Sequence, residues 1–376
     1  MYLKVWLESL VQGVGQAVII LFLRALYDAE GSMDYSDKDY EEMLESIVQA
    51  SIGSQVYSLL KSSGRLWHVP SFFREKLSQI YQACFLQNML VRHETQLLLR
   101  EFDKNGIPVI PLKGTTLAER YFGHFAARGT SDIDLLIKPE HMRTALVCIA
   151  RAGYATPLEE NPEHYHREWV KTMPGLPEPL PVELHWSFAP GSTSRMNMAA
   201  AWESSEPMVG YKKARTLGTT YTFYSLCLHG ASHQMDSLKH ALDLYQLLHS
   251  DHENIDIDWI WKQSESDRTR RRVIAALTTT YRLFPELNRL KKLPFEPKNP
   301  FLYTRQPALP HPAWRTLYTL AVMDSWKYRL RYLWQTVFPS RSYARYSLDA
   351  AGPPASLPKL YYRLYKQRLR KIFGGA

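Results

Sequence analysis

Apolar residues recur at helical spacing over long stretches on both sides of a short region with a different pattern. Residues 40–61 and 71–103 carry this spacing, and it returns at residues 219–250, 259–265 and 268–284. Apolar side chains three or four positions apart lie on one face of an α-helix. These stretches therefore predict amphipathic helices, with two helices in the segment 219–250.

Residues 107–137 alternate between extended and helical character. The run IPVIPLKG is apolar and β-rich up to Gly114, TTLAERYF has helical spacing, and SDIDLLI is apolar and extended again. A later extended segment, PVELHWSF, contains Glu183. The pattern predicts strand, turn, helix, loop and strand, followed by at least one further strand.

Together these elements predict an α+β fold, rich in both element types, with a small mixed β-sheet flanked by helical regions on both sides. A Pro-rich connection runs from residue 294 to residue 312. The predicted organisation is an N-terminal helical region (1–104), a sheet-containing core (105–215), a helical domain that lines the cleft (216–290) and basic, aromatic C-terminal helices (291–376).

The N-terminal segment is uncharged from residue 9 to residue 23 and contains Gln12 and Gln16. It is shorter than the ~20 apolar residues of a membrane-crossing helix, and it lacks a clear signal-peptide cleavage pattern. One helical stripe is formed by Leu7, Leu10, Val11, Val14, Val18 and Leu21. The segment predicts a packing helix rather than a transmembrane one, with an interfacial or partner-docking helix as the alternative.

Three cysteines are scattered through helix-like apolar segments, at Cys84, Cys148 and Cys227. Their odd number and their spacing favour reduced thiols packed in cores over disulfides or a metal site. We therefore expect a cytoplasmic protein.

Positive charge is concentrated near the C-terminus. The chain carries a net charge of +9, and residues 327–376 contain eleven Lys or Arg against one acid, Asp349. These basic residues alternate with Tyr and Trp, which suits an anionic partner such as RNA, a phosphate-rich acceptor or an anionic membrane surface. A solvated basic helix with its aromatic residues packed on the body is an equally good interpretation.

Two carboxylates, Asp132 and Asp134, stand two positions apart in an apolar extended segment. Side chains alternate along a strand, so both project from one face and repel each other unless a cation lies between them. Mg²⁺ (or Mn²⁺) prefers carboxylate oxygens together with the oxygens of a substrate phosphate. Glu183, on a neighbouring strand, is expected to complete a three-carboxylate metal site.

A turn at Gly114, just upstream, can bring backbone N–H groups against a phosphate. Arg128 and Ser131 lie in the loop before the diacid strand. The Arg128 guanidinium is expected either to bind phosphate oxygens or to pair with the strand acids. His185 shares the face of Glu183, where it would contact a metal-bound phosphate, accept a proton, or serve as an ordinary hydrogen-bonded strand histidine.

A histidine-rich cluster follows the predicted sheet: His229, His233, Asp236, His240 and Asp243. The first two histidines are one helical turn apart, as two metal ligands would be. Polar lining of a cleft is the leading interpretation, core packing follows closely, and a zinc site ranks last.

The stretch LKGTTLAERYFGHFAARGTSDIDLLI, with AGY and VELHW downstream, resembles the uncharacterised bacterial nucleotidyltransferases of the DNA-polymerase-β-like superfamily. The resemblance covers roughly residues 75–345 and is strongest over 107–187. One departure concerns the Gly-Ser turn of that superfamily, which is Gly114-Thr115 here and follows Lys113. Contact with the phosphates is therefore assigned to Lys113, Gly114, Thr115 and Thr116.

The resemblance implies a two-metal transfer of a nucleoside monophosphate from a nucleoside triphosphate, most readily ATP, with release of pyrophosphate. The acceptor is unknown and is expected to be a hydroxyl of a small metabolite, a peptide or a protein. The resemblance also implies that His229 and His233 line the acceptor or nucleobase side of the cleft. The alternative is a non-catalytic nucleotide- or RNA-binding regulator that retains the fold. A toxin- or antitoxin-like partner protein is a third interpretation.

Overall fold

The computed structural model describes residues 18–156, 165–296, 312–348 and 356–373. Within these residues, four helices precede the sheet: α1 (18–27), α2 (Asp37–Gln49), α3 (Gly53–Ser62) and α4 (Ser71–Lys104). The central region contains β1 (Val109–Pro111), α5 (Gly114–Phe122), β2 (Ile133–Ile137), α6 (Met142–Arg151), β3 (His166–Lys171), β4 (Leu180–His185), α7 (Ala199–Glu203), β5 (Glu206–Pro207) and β6 (Arg215–Thr216).

The helices after the sheet come in two groups. The first group is α8 (Thr219–Ser232), α9 (Leu238–Asp251), α10 (Ile257–Ser266), α11 (Arg270–Leu283) and α12 (Leu287–Leu290). The second group is α13 (Pro312–Ala321), α14 (Trp326–Val337), α15 (Arg341–Ser347) and α16 (Leu357–Phe373).

The central sheet has the strand order β1-β2-β4-β3. The β2 and β4 strands are parallel, whereas β1 and β3 flank them in the antiparallel direction. Pro111 is tolerated in β1 because this strand lies at the edge of the sheet, where a missing N–H breaks no ladder. The predicted α+β class, with a small mixed sheet between helical regions, is confirmed.

The two faces of the sheet differ in chemistry because side chains alternate along each strand. One face is apolar and packs against buried residues of α4 and α6; it is formed by Ile133, Leu135, Ile137, Leu180, Val182 and Leu184. The opposite face carries Asp134, Glu183 and His185. Leu136 also lies on this opposite face, where it packs in a second apolar core with the helices before and after the sheet. The sheet therefore holds a polar surface between two apolar cores.

Two local predictions differ from the structure. In α1 the buried positions are Ile19, Phe22, Leu23 and Leu26, while Leu21 is 52% exposed, so the predicted stripe is wrong at Leu21. Val18 of that stripe is partly buried against the core, and the other positions, Leu7, Leu10, Val11 and Val14, lie outside the described residues. The stretch 40–61 forms two helices separated at Ser51, whose φ of 55° is left-handed and cannot continue an α-helix.

Within the described ranges, no helix is both long and apolar enough to cross a membrane. All three cysteines are free thiols; Cys148 and Cys227 are buried and Cys84 is half-buried.

The C-terminal helices carry both exposed and buried apolar residues: Trp326 and Trp334 are exposed, whereas Leu360 and Leu364 are buried. Binding of an anionic partner by this region stays a prediction, as do the four domain boundaries.

The loop between α5 and β2 is held by buried polar side chains instead of a strand ladder. Arg128 donates through Nε and Nη2 to the two carboxylate oxygens of Asp243 in α9, both at 2.8 Å. Asn88 of α4 donates to the carbonyls of Phe125 and Arg128, and its side-chain oxygen accepts from the Thr130 N–H. These bonds fix the loop residues that lead directly into the acidic strand.

We predict that Asp243→Asn destabilises the protein by about 3–5 kcal/mol, because it leaves the buried Arg128 without a charged partner. The double variant Arg128→Met/Asp243→Leu should recover much of this loss, because it removes both charges. Chemical denaturation measures the free energy of unfolding.

The matched control is Glu119→Gln, which removes the partly exposed ion pair between Arg92 and Glu119 (Nη2–Oε1 2.7 Å). It should cost less than about 1 kcal/mol, because water screens such pairs. Equal effects of Asp243→Asn and Glu119→Gln would contradict a special role for the buried pair.

Candidate functional site

Three acids converge on the polar face of the sheet. Asp132 immediately precedes β2, Asp134 lies in β2, and Glu183 is the register partner of Asp134 in the parallel strand β4. Asp134 is buried, while Asp132 and Glu183 are half-buried. Residues in register on neighbouring strands point to the same side of a sheet, so the predicted acids share one surface.

Lys113 and His185 contact these acids directly. The Lys113 Nζ lies 3.1 Å from Asp134 Oδ2. The His185 Nε2 lies 3.0 Å from Asp134 Oδ1 and also 3.0 Å from Glu183 Oε2. One imidazole thus links the carboxylates of two strands, and one ammonium pairs with the buried aspartate.

These contacts set the charge of the acids. Burial alone would raise the pKa of Asp134, but the Lys113 ammonium and the His185 hydrogen bond hold it well below its usual range. Burial also opposes ionisation of Glu183, and the His185 hydrogen bond again outweighs it and lowers the pKa of that carboxyl. In turn the pKa of His185 is raised despite burial, because its imidazolium bonds to both acids. Asp134 and Glu183 are therefore ionised beside a histidine that favours its charged form.

Asp132 has a different environment. Its Oδ1 accepts a hydrogen bond of 3.3 Å from the Thr130 hydroxyl, and no cationic side chain of the described residues lies within 4.0 Å of its carboxylate. Burial raises the pKa of Asp132, and the negative charges of Asp134 and Glu183 raise it further. This carboxylate lacks the neutralising partner that Asp134 has.

Sequence reasoning missed two residues on the same face, both in β3. Glu168 lies directly opposite Glu183 in the antiparallel pair, and burial and the Glu183 charge raise the pKa of Glu168. The His166 Nε2 lies 3.8 Å from Glu183 Oε2. Like charges directly opposite each other destabilise a sheet unless a cation intervenes. The alternation in HREWVK is the signal that could have placed both side chains on one face.

His166, Glu183 and His185 form a group whose ligand atoms all lie within 4.8 Å of one another, close enough to hold a metal ion. Asp132 and Asp134 are not part of this group, although His185 touches Asp134. The donor chemistry of the face as a whole, with four carboxylates and two imidazoles, fits a divalent cation. The identity of that cation and its ligand set stay predictions.

The predicted phosphate turn lies against the acidic strand. Gly114 has a φ of 72°, and a Cβ there would lie 3.6 Å from Thr130 Oγ1 and 3.8 Å from the Asp132 carbonyl oxygen. The N-cap residue of α5, Lys113, makes no side-chain hydrogen bond to the first N–H groups of this helix, which other acceptors must satisfy. Thr115 is buried and Thr116 is half-buried, so the start of this helix is partly covered.

Arg128 and Ser131 are placed differently from each other. Arg128 is engaged with Asp243, so it holds the loop through a helix acid and not through the strand acids. Ser131 is exposed, and its neighbour Thr130, which the sequence did not single out, makes the contact with Asp132. Phosphate binding by Arg128 and Ser131 stays a prediction.

The histidine cluster adjoins the site through His229. The Lys113 Nζ lies 3.3 Å from His229 Nδ1, and burial followed by the Lys113 charge lowers the pKa of His229 well below its usual value. A neutral His229 therefore accepts from the ammonium. The rings of His229, His233 and His240 lie 4.6 to 5.4 Å apart, and His240 pairs with Asp236 at 3.5 Å. In the described part of the chain these histidines are not part of a group that could hold a metal ion, and their role as cleft lining stays a prediction.

No curated protein and no solved structure matches the chain. A match does exist at the level of a protein family, and it covers both the acidic strands and the helices α8 and α9 beside them. Residues 36–285, well over half of the chain, match the family described as "Uncharacterised nucleotidyltransferase", and the chain therefore belongs to that nucleotidyltransferase family.

Proposed function

We propose that this protein is a cytoplasmic enzyme that transfers a nucleoside monophosphate from a nucleoside triphosphate to an acceptor hydroxyl, with release of pyrophosphate. ATP is the proposed donor and Mg²⁺ (or Mn²⁺) the proposed cofactor. The acceptor is a small molecule, a peptide or a protein. Membership of the nucleotidyltransferase family supports the reaction class.

The observation that carries the proposal is the convergence of Asp132, Asp134 and Glu183 on one sheet face beside the Gly114 turn. Carboxylates are not gathered in a half-buried surface without a cost in repulsion and desolvation. Asp132 has no cation within 4.0 Å among the described residues, so the gathered charge is only partly balanced by Lys113 and His185. A divalent cation would complete that balance.

Asp132, Asp134 and Glu183 would hold the cation, with His185 and His166 beside them. When bound, it would neutralise triphosphate charge and lower the pKa of the attacking hydroxyl. The residues of the chain would do the positioning. His185 would keep the Asp134 and Glu183 carboxylates aligned across the two parallel strands, because its Nε2 touches both.

Three elements would bind the triphosphate. The N–H groups at the start of α5 would donate to phosphate oxygens, aided by the positive end of the helix dipole. The Thr115 and Thr116 hydroxyls lie on the first turn of the same helix. Lys113 remains charged, because Asp134 and Asp132 more than offset the effect of burial and raise its pKa. Its ammonium would stabilise negative charge on the leaving pyrophosphate.

A second candidate function is a non-catalytic nucleotide- or RNA-binding regulator. The ion pairs of Asp134 with Lys113 and His185 favour it, because they neutralise this acid without any cation. The unpaired Asp132 and the Glu168–Glu183 pair favour the enzyme, because a regulator has no need of excess acid.

We predict that Asp132→Asn/Asp134→Asn reduces metal-dependent transfer of label from α-labelled ATP by on the order of 10³-fold, about 4 kcal/mol of transition-state stabilisation. The physical reason is the loss of the oxygen ligands for the cation. The measurement is pyrophosphate release and label incorporation, with a thermal melt to establish that the variant is folded.

The matched control removes two exposed acids elsewhere, as Glu253→Gln/Asp258→Asn. It carries the same change in net charge and should retain full transfer. Unchanged labelling by a folded Asp132→Asn/Asp134→Asn variant would refute the proposed site.

A further prediction concerns Lys113→Met. Lys113 and a divalent cation compete for the charge of Asp134, so removing the ammonium should tighten Mn²⁺ binding by roughly tenfold. Transfer should nevertheless fall, because the ammonium is no longer present to stabilise the phosphates. Electron paramagnetic resonance titration measures free Mn²⁺, and the labelling assay measures transfer.

The enzyme should thus show tighter Mn²⁺ binding and reduced transfer in Lys113→Met, whereas a non-catalytic regulator would show no transfer in either protein. Tighter Mn²⁺ binding with unchanged labelling would remove Lys113 from the reaction. Unchanged Mn²⁺ binding would show that the cation does not bind near Asp134.

A further inference from the structure

A cavity of about 370 Å³ lies beside the acidic face. One wall consists of Tyr165, just before β3, with Phe188 after β4 and Leu228 of α8. The opposite wall comes from the C-terminal helices, including Val322, Met323 and Tyr332. The volume is in the range of pockets that bind small molecules.

Tyr165 connects this cavity to the candidate active site. Its ring lies 5.8 Å from the ring of His185 and 5.2 Å from that of His166, centroid to centroid. The same side chain lines the cavity. A molecule in the cavity would therefore be separated from the acids by the Tyr165 ring and the histidine rings that it faces.

The cavity wall contains a buried arginine without a matching acid. Arg272 of α11 is 8% exposed, and its Nη2 donates to the Thr193 hydroxyl at 2.6 Å. Over the described ranges, Arg272 makes no ion pair within 4.0 Å, and its Nη1 has no hydrogen-bond partner. Burial lowers the pKa of Arg272, because the longer-range attraction of Tyr165 and Asp324 does not offset desolvation.

An unpaired buried charge is costly, and this one differs sharply from Arg128, which has a bidentate partner in Asp243. The free donor of a planar guanidinium suits a carboxylate, phosphate or sulfonate group. A second arginine, Arg368 of α16, also lines the cavity and donates to the Thr336 carbonyl. The rest of the lining is largely aromatic and aliphatic.

We propose that this cavity is a binding site for a small molecule that combines an anionic group, held by Arg272, with an apolar body. Resting on the proposed function, this molecule is the acceptor, and its hydroxyl faces the acidic strands past Tyr165. Any ligand of this cavity must carry one negative charge next to an apolar or aromatic framework.

A pair of fluorescent probes tests the binding site directly. The anionic probe is 8-anilinonaphthalene-1-sulfonate, and N-phenyl-1-naphthylamine is the same frame without the sulfonate. The full-length protein should bind the anionic probe saturably at one site and the neutral probe at least about tenfold more weakly, as expected for a charge-assisted hydrogen bond. Equal affinity for both probes would overturn the role of the anionic group.

Three variants test whether the probes bind in this cavity. Arg272→Met should weaken the anionic probe by about tenfold or more and leave the neutral probe unchanged. The control Arg282→Met removes an exposed arginine of the same helix and should change neither affinity. Thr319→Trp fills the cavity from α13 without removing a charge, and it should abolish binding of both probes.

Each variant is checked for native tertiary structure by near-ultraviolet circular dichroism, since loosened cores also bind these probes. If Arg272→Met does not fold, the titration of Thr319→Trp tests the site instead. Undiminished binding of the anionic probe by Thr319→Trp would overturn the proposed site. The titrations contain no nucleotide or metal. Asp132→Asn/Asp134→Asn should therefore bind the probes normally while it loses transfer, so failure of the acidic site and failure of the cavity can be told apart. Failure of anionic acceptors with a wild-type enzyme that transfers label to other hydroxyls would refute the cavity as the acceptor site.

Discussion

The buried ion pair between Arg128 and Asp243 is the interaction on which the acidic face depends. In the described part of the chain, the loop from α5 to β2 pairs with no strand, and several of its carbonyls accept from Asn88 and Gln87 of α4 and Lys239 of α9. A bidentate pair at 2.8 Å ties that loop to α9. Repulsion among the acids would otherwise favour displacement of the loop, so the helices on either side supply the rigidity that the strand lacks.

Charge on the acidic face is balanced unevenly, and the imbalance is informative. Among the described residues, Asp134 is paired with both Lys113 and His185, whereas Asp132 accepts from the Thr130 hydroxyl without a cationic side chain within 4.0 Å, and Glu168 faces Glu183. Pairing fixes the position of the innermost acid, while the outer acids retain unsatisfied negative charge. A face built only for stability would pair every acid or omit some of them. On the proposed function, this unevenness would suit a site that receives a cation and an anionic substrate together.

Local spacing predicted the parts of the site that lie close together in the chain. Alternation placed Asp132 and Asp134 on one face, and the turn at Gly114 has the left-handed φ that its glycine indicated. Glu183 lies in register with Asp134, as a neighbouring strand would place it. Local spacing could not predict the residues whose role depends on partners that are distant in the chain. Arg128 meets an acid 115 positions away, and β3, with Glu168, pairs with β4 only in the folded sheet.

The region that matches the family ends at residue 285, and the cavity is lined by residues from both sides of that boundary. Every acid of the candidate site, together with Lys113, His185 and Arg272, lies within residues 36–285. The far wall of the cavity, with Met323, Tyr332 and Arg368, lies beyond residue 285. On the proposed function, nucleotide chemistry would thus be carried by the family region, and the C-terminal helices would complete the acceptor pocket. Changes in those helices would then alter which acceptor fits without removing any of the acids, because the acids all lie within residues 36–285.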